Sequence, residues 1–211
     1  MFTPKHFAAP SVEMMHQLIQ ASPLATLVTL SSRGLEASHI PLHLSAAPGA
    51  PGVLRGHVAR ANPLWKDLDA GGEALAIFHG PNAYITPSWY PTKQRTGKAV
   101  PTWNYVVVHA YGRLRAIDDP HWLRTQLDQL TAHTESGRAE PWRVDDAPTD
   151  YTEKLLKAIV GIELVVSRLE GTWKTSQNQP AENQAGIIQG LTASAGDLNM
   201  VHLVEASGKQ A

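Results

Sequence analysis

The sequence predicts a mainly β fold, a barrel or sandwich with helical additions. Short apolar runs with strand character follow one another as a meander. The joining segments "SSRG" and "AAPGAPG" have the composition of hairpin turns. The strand–helix–strand alternation that builds a parallel sheet is missing.

A first helix is expected over 11–20, with Ser11 as cap and Val12, Met15 and Ile19 on one face. Strands follow at 23–30, 35–44, 52–58 and 73–80, and a short helix at 62–69 connects the last two. The longest strand candidate is "WNYVVVHAYGRLRAI", 103–117. Its residues Val106, Val108, Ala110, Gly112 and Leu114 are small or apolar and alternate with Tyr105, Val107, His109, Tyr111 and Arg113. Asp119 caps and Pro120 opens a helix carrying Leu123, Leu127 and Leu130. The polar stretch 134–150 reads as a surface excursion. After a short helix with Leu155, Leu156 and Ile159, 158–171 is a strong strand, and one or two helices follow Pro180. The reading is one domain, 1–211, with a barrel over about 20–176 and a helical tail over about 180–206.

Composition narrows the function. The chain has 211 residues, 43% of them hydrophobic, enough to bury a core. A net charge of −1 argues against broad nucleic-acid binding, which depends on clustered Lys and Arg. The absence of cysteine excludes disulfides and thiolate sites. The opening "MFTPKHFAAP" has no apolar signal region and no run approaches membrane-spanning length, so a cytoplasmic protein without a membrane partner is expected. Dinucleotide, P-loop, GxSxG and HExxH motifs are missing. His39 and His43, on one face of a single strand, would stand roughly 13 Å apart, too far to share a zinc. The carboxylates fall in helices and loops, and none stands out as catalytic.

What remains is aromatic and polar. In "HVARANPLWKDL", Asn62-Pro63 is a helix start with Arg60 two residues upstream, a pattern that suits an anion and equally a plain cap. "GPNAYITPSWYP", "VPTWNYVVVHAYG" and "GTWKTSQNQP" gather Trp, Tyr, Asn and Pro near predicted strand ends. Prolines fix the backbone there and rings such as Tyr84, Trp89 and Trp103 are held at low entropic cost, for a ligand or for a dimer interface.

These stretches, in this order and spanning nearly the whole chain, resemble the PaiB-type FMN-binding family of bacterial proteins, and "MFTPKHF" fits that family's start. Its members are described as negative transcriptional regulators of sporulation and protease genes. The resemblance implies an FMN-binding split β-barrel like that of pyridoxine-phosphate oxidase, a homodimer with two FMN sites at the subunit interface. On this sequence it assigns the phosphate to Arg60 and Asn62, with Lys66 second. It lays the isoalloxazine against Ser38, His39, Ile40 and Pro41, completed by Thr102, Trp103 and Asn104 of either subunit. Gln177, Asn178 and the strand-end His57 are further candidates. The segment 91–99 is longer than in the shortest members and reads as a loop beside the pocket. A flavin-responsive regulator acting through DNA or a regulatory protein partner is the leading function. The alternatives are a flavin-dependent oxidoreductase acting on a small molecule, and haem binding or breakdown with His39, His57, His79 or His109 as axial ligand.

Overall fold

The computed structural model describes residues 1–70, 72–194 and 196–208. Helix α1 (Val12–Ala21) buries Met15, Leu18 and Ile19 on one face. Alternation then sets the first hairpin. β1 (Leu24–Ser31) turns Ala25, Leu27 and Thr29 inward and pairs antiparallel with β2 (Gly34–Pro41), from Leu24 opposite Pro41 to Ser31 opposite Gly34. Gly34 takes a φ of 105°, a backbone angle that residues with a Cβ rarely reach.

The run 35–44 is not one strand. Pro41 has no N–H to extend the ladder, and the Leu42 N–H donates to the Pro23 carbonyl at 2.8 Å. β3 (His43–Ser45) pairs instead with β4 (Val53–Ala59), His43 opposite Arg55. His39 and His43 therefore belong to different strands. The connection after β4 is a 3₁₀ helix, Pro63–Ala70, where a short helix is expected. β5 (Glu73–Ile85) runs past the expected stop at Gly80 and carries Pro81 and Asn82 in extended form. The segment 91–99 holds a helix, α2 (Pro91–Thr96), opened by proline and closed by Gly97 at φ 65°.

β6 (Thr102–Ile117) and β7 (Ile159–Lys174) flank α3 (Pro120–Glu135) and α4 (Thr149–Leu156) in the chain. The Asp119 carboxylate accepts the His121 and Trp122 N–H groups, as an N-cap should. α5 (Ala181–Ala193) and α6 (Leu198–Gly208) close the described chain. Among the described residues the strands form one seven-stranded sheet, ordered β2-β1-β5-β6-β7-β4-β3.

The chain packs as two compact units, and β5, β6 and β7 each pass through both. The first, Val12–Phe78 with His109–Leu169, has Ile19, Leu27, Leu54, Phe78 and Leu164 among its buried side chains. The second comprises Met1–Ser11, His79–Val108 and the chain from Glu170 onward. Its core joins Ile85 and Tyr90 to Ile187, Leu191, Met200, Val201 and Val204 of α5 and α6.

A Cβ built on Gly112 would lie 2.1 Å from the Val165 carbonyl oxygen, so β6 has no room there for a side chain. Gly112→Ala should cost about 3 kcal/mol in urea unfolding. Gly137→Ala, where nothing lies within 4 Å, should stay within about 0.5 kcal/mol.

Candidate functional site

In the first unit, the end of β4 is built around Arg60. Its Nη1 and Nη2 donate to the Asp118 carboxylate at 2.8 and 2.6 Å. Nε and Nη2 also donate to the Lys157 and Ile159 carbonyls at 2.8 and 3.0 Å. The Arg60 hydrogen bond holds the Asp118 carboxyl below the usual carboxylate range, against the opposing effect of burial. The guanidinium that the sequence suggests for phosphate thus ties β4 to the segments before β7 and α3.

Asn62 behaves as the cap, its Oδ1 accepting the Leu64 N–H at 3.0 Å. With Pro63 lacking an N–H, the helix start directs its first donor inward rather than at a ligand. The Arg60 guanidinium and the Lys66 ammonium lie 6.0 and 5.8 Å from the Trp65 ring centroid, so two cations approach one indole. Lys66 is the exposed one of the three phosphate candidates.

The stretch 38–41 forms the end of β2. Ile40 is buried opposite Ala25, whereas His39 and Pro41 are exposed and Ser38 is half-buried. His39 Nδ1 lies 3.2 Å from the Thr26 hydroxyl. His57 points to α3, its Nδ1 2.9 Å from Gln126 Oε1. No group of three or more metal-ligating side chains forms among the described residues.

The second unit brings Thr102, Asn104 and Asn178 together around a cavity of about 480 Å³. Asn104 is fully buried and exchanges hydrogen bonds with the Ser176 hydroxyl at 2.9 and 3.1 Å. Ser176 holds a φ of 64°, unusual for a residue with a Cβ. Lys174 donates to the Thr102 hydroxyl, Lys98 lines the wall, and the buried Tyr90 hydroxyl has no hydrogen-bond partner among the described residues. Burial pushes the Tyr90 phenol above its usual value.

Gln177 is turned away from the cavity. It accepts the Thr175 N–H and donates to the Trp173 and His6 carbonyls. Trp103 sits on β6 between Thr102 and Asn104 and is 50% exposed. Its indole N–H donates to Asn82 at 3.2 Å and its ring meets Tyr84 edge-on at 5.9 Å.

The sequence reading missed Lys174, Ser176 and Tyr90 as cavity residues. It also missed α2, although Pro91 and Gly97 are the ordinary signals of a helix start and stop. A further unforeseen group is Glu163, 3% exposed on β7, which takes Arg55 Nε at 2.8 Å and Arg115 Nε at 2.9 Å.

Residues 1–168 match the family model described as "Putative FMN-binding domain". A Bacillus subtilis relative, the protease synthase and sporulation protein PAI 2, is 31% identical, with 90% of this chain and 89% of the relative covered. An uncharacterized protein of Emericella nidulans is 36% identical over 87% of each chain. Among solved structures, the FAD and heme binding protein of Mycobacterium smegmatis superposes with a TM-score of 0.58 at 20% identity, covering 79% of this chain and 73% of its own. The flavocytochrome Anf3 of Azotobacter vinelandii gives 0.56 at 15% identity, covering 79% and 69%. The fold is a split β-barrel with helical additions, and the chain belongs to the PaiB-type FMN-binding domain family, whose cofactor is FMN.

The residues present fit that cofactor. Two cations approach an indole at the end of β4. In the second unit an ammonium, amides, hydroxyls and a phenol without a partner among the described residues line a cavity of mononucleotide size.

Glu163 generates a prediction. Burial raises its carboxyl pKa, and the hydrogen bonds from Arg55 and Arg115 more than offset this, leaving it lowered. Its stabilisation is therefore present above the ordinary Glu value of about 4.3 and lost as pH falls through the lower folded value. Glu163→Gln should lower stability at pH 7 and flatten the loss below about pH 4, followed by urea midpoints at each pH.

Proposed function

We propose that this protein is an FMN-binding homodimer of the PaiB kind that regulates gene expression according to flavin binding or flavin redox state. Trp103 is the observation that carries the proposal. It is a half-exposed indole, pinned by Asn82 and braced by Tyr84, and so suited to covering a flat ring or a partner surface without further ordering. The name of the Bacillus subtilis relative, which refers to protease synthesis and sporulation, supports regulation over metabolism.

Bound FMN supplies one- and two-electron redox chemistry. The chain's own residues would hold and orient it. Lys66 meets the phosphate while Arg60 and Asn62 fix the turn that presents it. The 38–41 strand end lies along the ring, and Thr102 and Trp103 of the partner subunit close over it, with Asn104 buried behind them against Ser176. Asn178 lines the cavity next to Thr102 and Asn104, whereas Gln177 and His57 keep structural roles.

Titration of the purified chain with FMN, read by absorption and size-exclusion chromatography, tests the binding part. Wild type should bind FMN as a dimer. Trp103→Ala and Lys66→Ala should each weaken binding about tenfold or more, a loss of roughly 1.4 kcal/mol. A loss in Lys174→Ala alone would move the phosphate to the second unit's cavity. A strain carrying Trp103→Ala should reproduce the transcript changes of the deletion strain. Rapid bleaching of bound flavin by NADPH with turnover of a small oxidant, and no transcript change, would make the protein an oxidoreductase instead.

A further inference from the structure

Buried polar atoms left without a partner are not scattered through the chain. Among the described residues they are His43 Nδ1, the Tyr90 hydroxyl, Gln126 Nε2 and Gln129 Oε1. All but Tyr90 lie along one seam of the first unit, where α3 covers β3 and β4. His43 meets the His133 ring of α3 at 5.9 Å there. Gln126 is 1% exposed, and His57 engages its Oε1 at 2.9 Å, which leaves the amide NH₂ facing elsewhere.

Gln129 lies three residues on, hence on the same face of the helix. Beside the two amides opens a cavity of about 330 Å³, walled by Arg55, Trp122 and Thr125 with Asp119 at the helix start. The charges at this wall are already answered. Arg55 donates to Glu163, and the Asp119 carboxylate accepts the first helical N–H groups. The exposed His121 also borders the cavity, and its buried groups without a partner are a neutral donor and a neutral acceptor beside an indole face.

We propose that this cavity is a binding site for a small, planar, neutral amide such as a lactam or pyrimidinone. Its carbonyl accepts from Gln126 Nε2, its N–H donates to Gln129 Oε1, and its ring lies along Trp122. The pairing satisfies two buried groups that are costly to leave unpaired, and it rejects ligands that carry only one of the two functions. The proposal stands apart from the flavin site and does not require that site to be correctly assigned.

The probe is uracil, with pyrimidine as the same ring without the amide edge, each titrated calorimetrically into the FMN-loaded protein. Uracil should bind with a dissociation constant of about 1 mM or tighter, and pyrimidine at least about tenfold more weakly. Gln126→Met and Gln129→Met should each weaken uracil about tenfold while the flavin absorption band holds, although Gln126→Met also loses the bond to His57. Should either variant fail to fold, the uracil–pyrimidine contrast on the wild-type protein decides alone. Equal affinity for the two rings, no binding at about 10 mM uracil, or a uracil-soaked crystal with only water on the two amides overturns the proposal.

Discussion

The first unit depends on one buried carboxylate. Glu163 faces Arg55 directly across the β4–β7 ladder and receives Arg115 from β6 on its other side. A carboxylate taken from water must find such partners, and these sit on the two strands that neighbour β7. A slip of one residue in either pairing would turn Glu163 or its arginines to the opposite face and leave the charge unanswered. Register is thus enforced by the cost of error. The net gain over an apolar residue of similar volume is modest, since removing the charges from water offsets most of their attraction. The same clamp sets the direction of Arg55, which then forms part of the cavity wall under α3.

A second arginine shows why sequence alone misassigns chemistry. Arg60 beside Asn62-Pro63 has the composition of an anion site, and nothing local distinguishes it from a tie. The distinction is made by Asp118 and by the carbonyls of Lys157 and Ile159, all far along the chain. Strands were legible where alternation was clean, as in β1 and β6, and where an apolar run was continuous, as in β7. They were not legible where one residue redirected the chain, as Pro41 does between β2 and β3. Pro81 produced the opposite error, because it stops a strand on average and here is carried through one.

The candidate site divides in the same way. Thr102, Asn104 and Asn178 were legible as polar residues in aromatic, proline-rich stretches, and they do line one cavity. Lys174 was hidden because it reads as a strand-end lysine until β6 places Thr102 against its ammonium. Gln177 was read as a ligand group because amides suit heterocycle edges. It instead satisfies backbone groups around a turn whose neighbour Ser176 holds a left-handed φ. An amide beside a strained turn is as well used by the backbone as by a ligand.

Charge bears on how such a protein would regulate. Arg33, Arg55, Arg60, Arg95, Arg115, Arg124 and Arg138 each engage a carboxylate of the same chain. A guanidinium already neutralised at short range adds little to the field that attracts a phosphate backbone. With 18 basic against 19 acidic side chains overall, direct binding to DNA has little net charge to draw on. Regulation through a protein partner asks for less. The half-exposed Trp103 and Tyr84 already present a rigid aromatic surface of the type enriched in protein interfaces, and a flavin bound against them would change what that surface offers. For the regulatory function proposed above, these charges and this surface favour a flavin-dependent protein contact over direct binding to DNA.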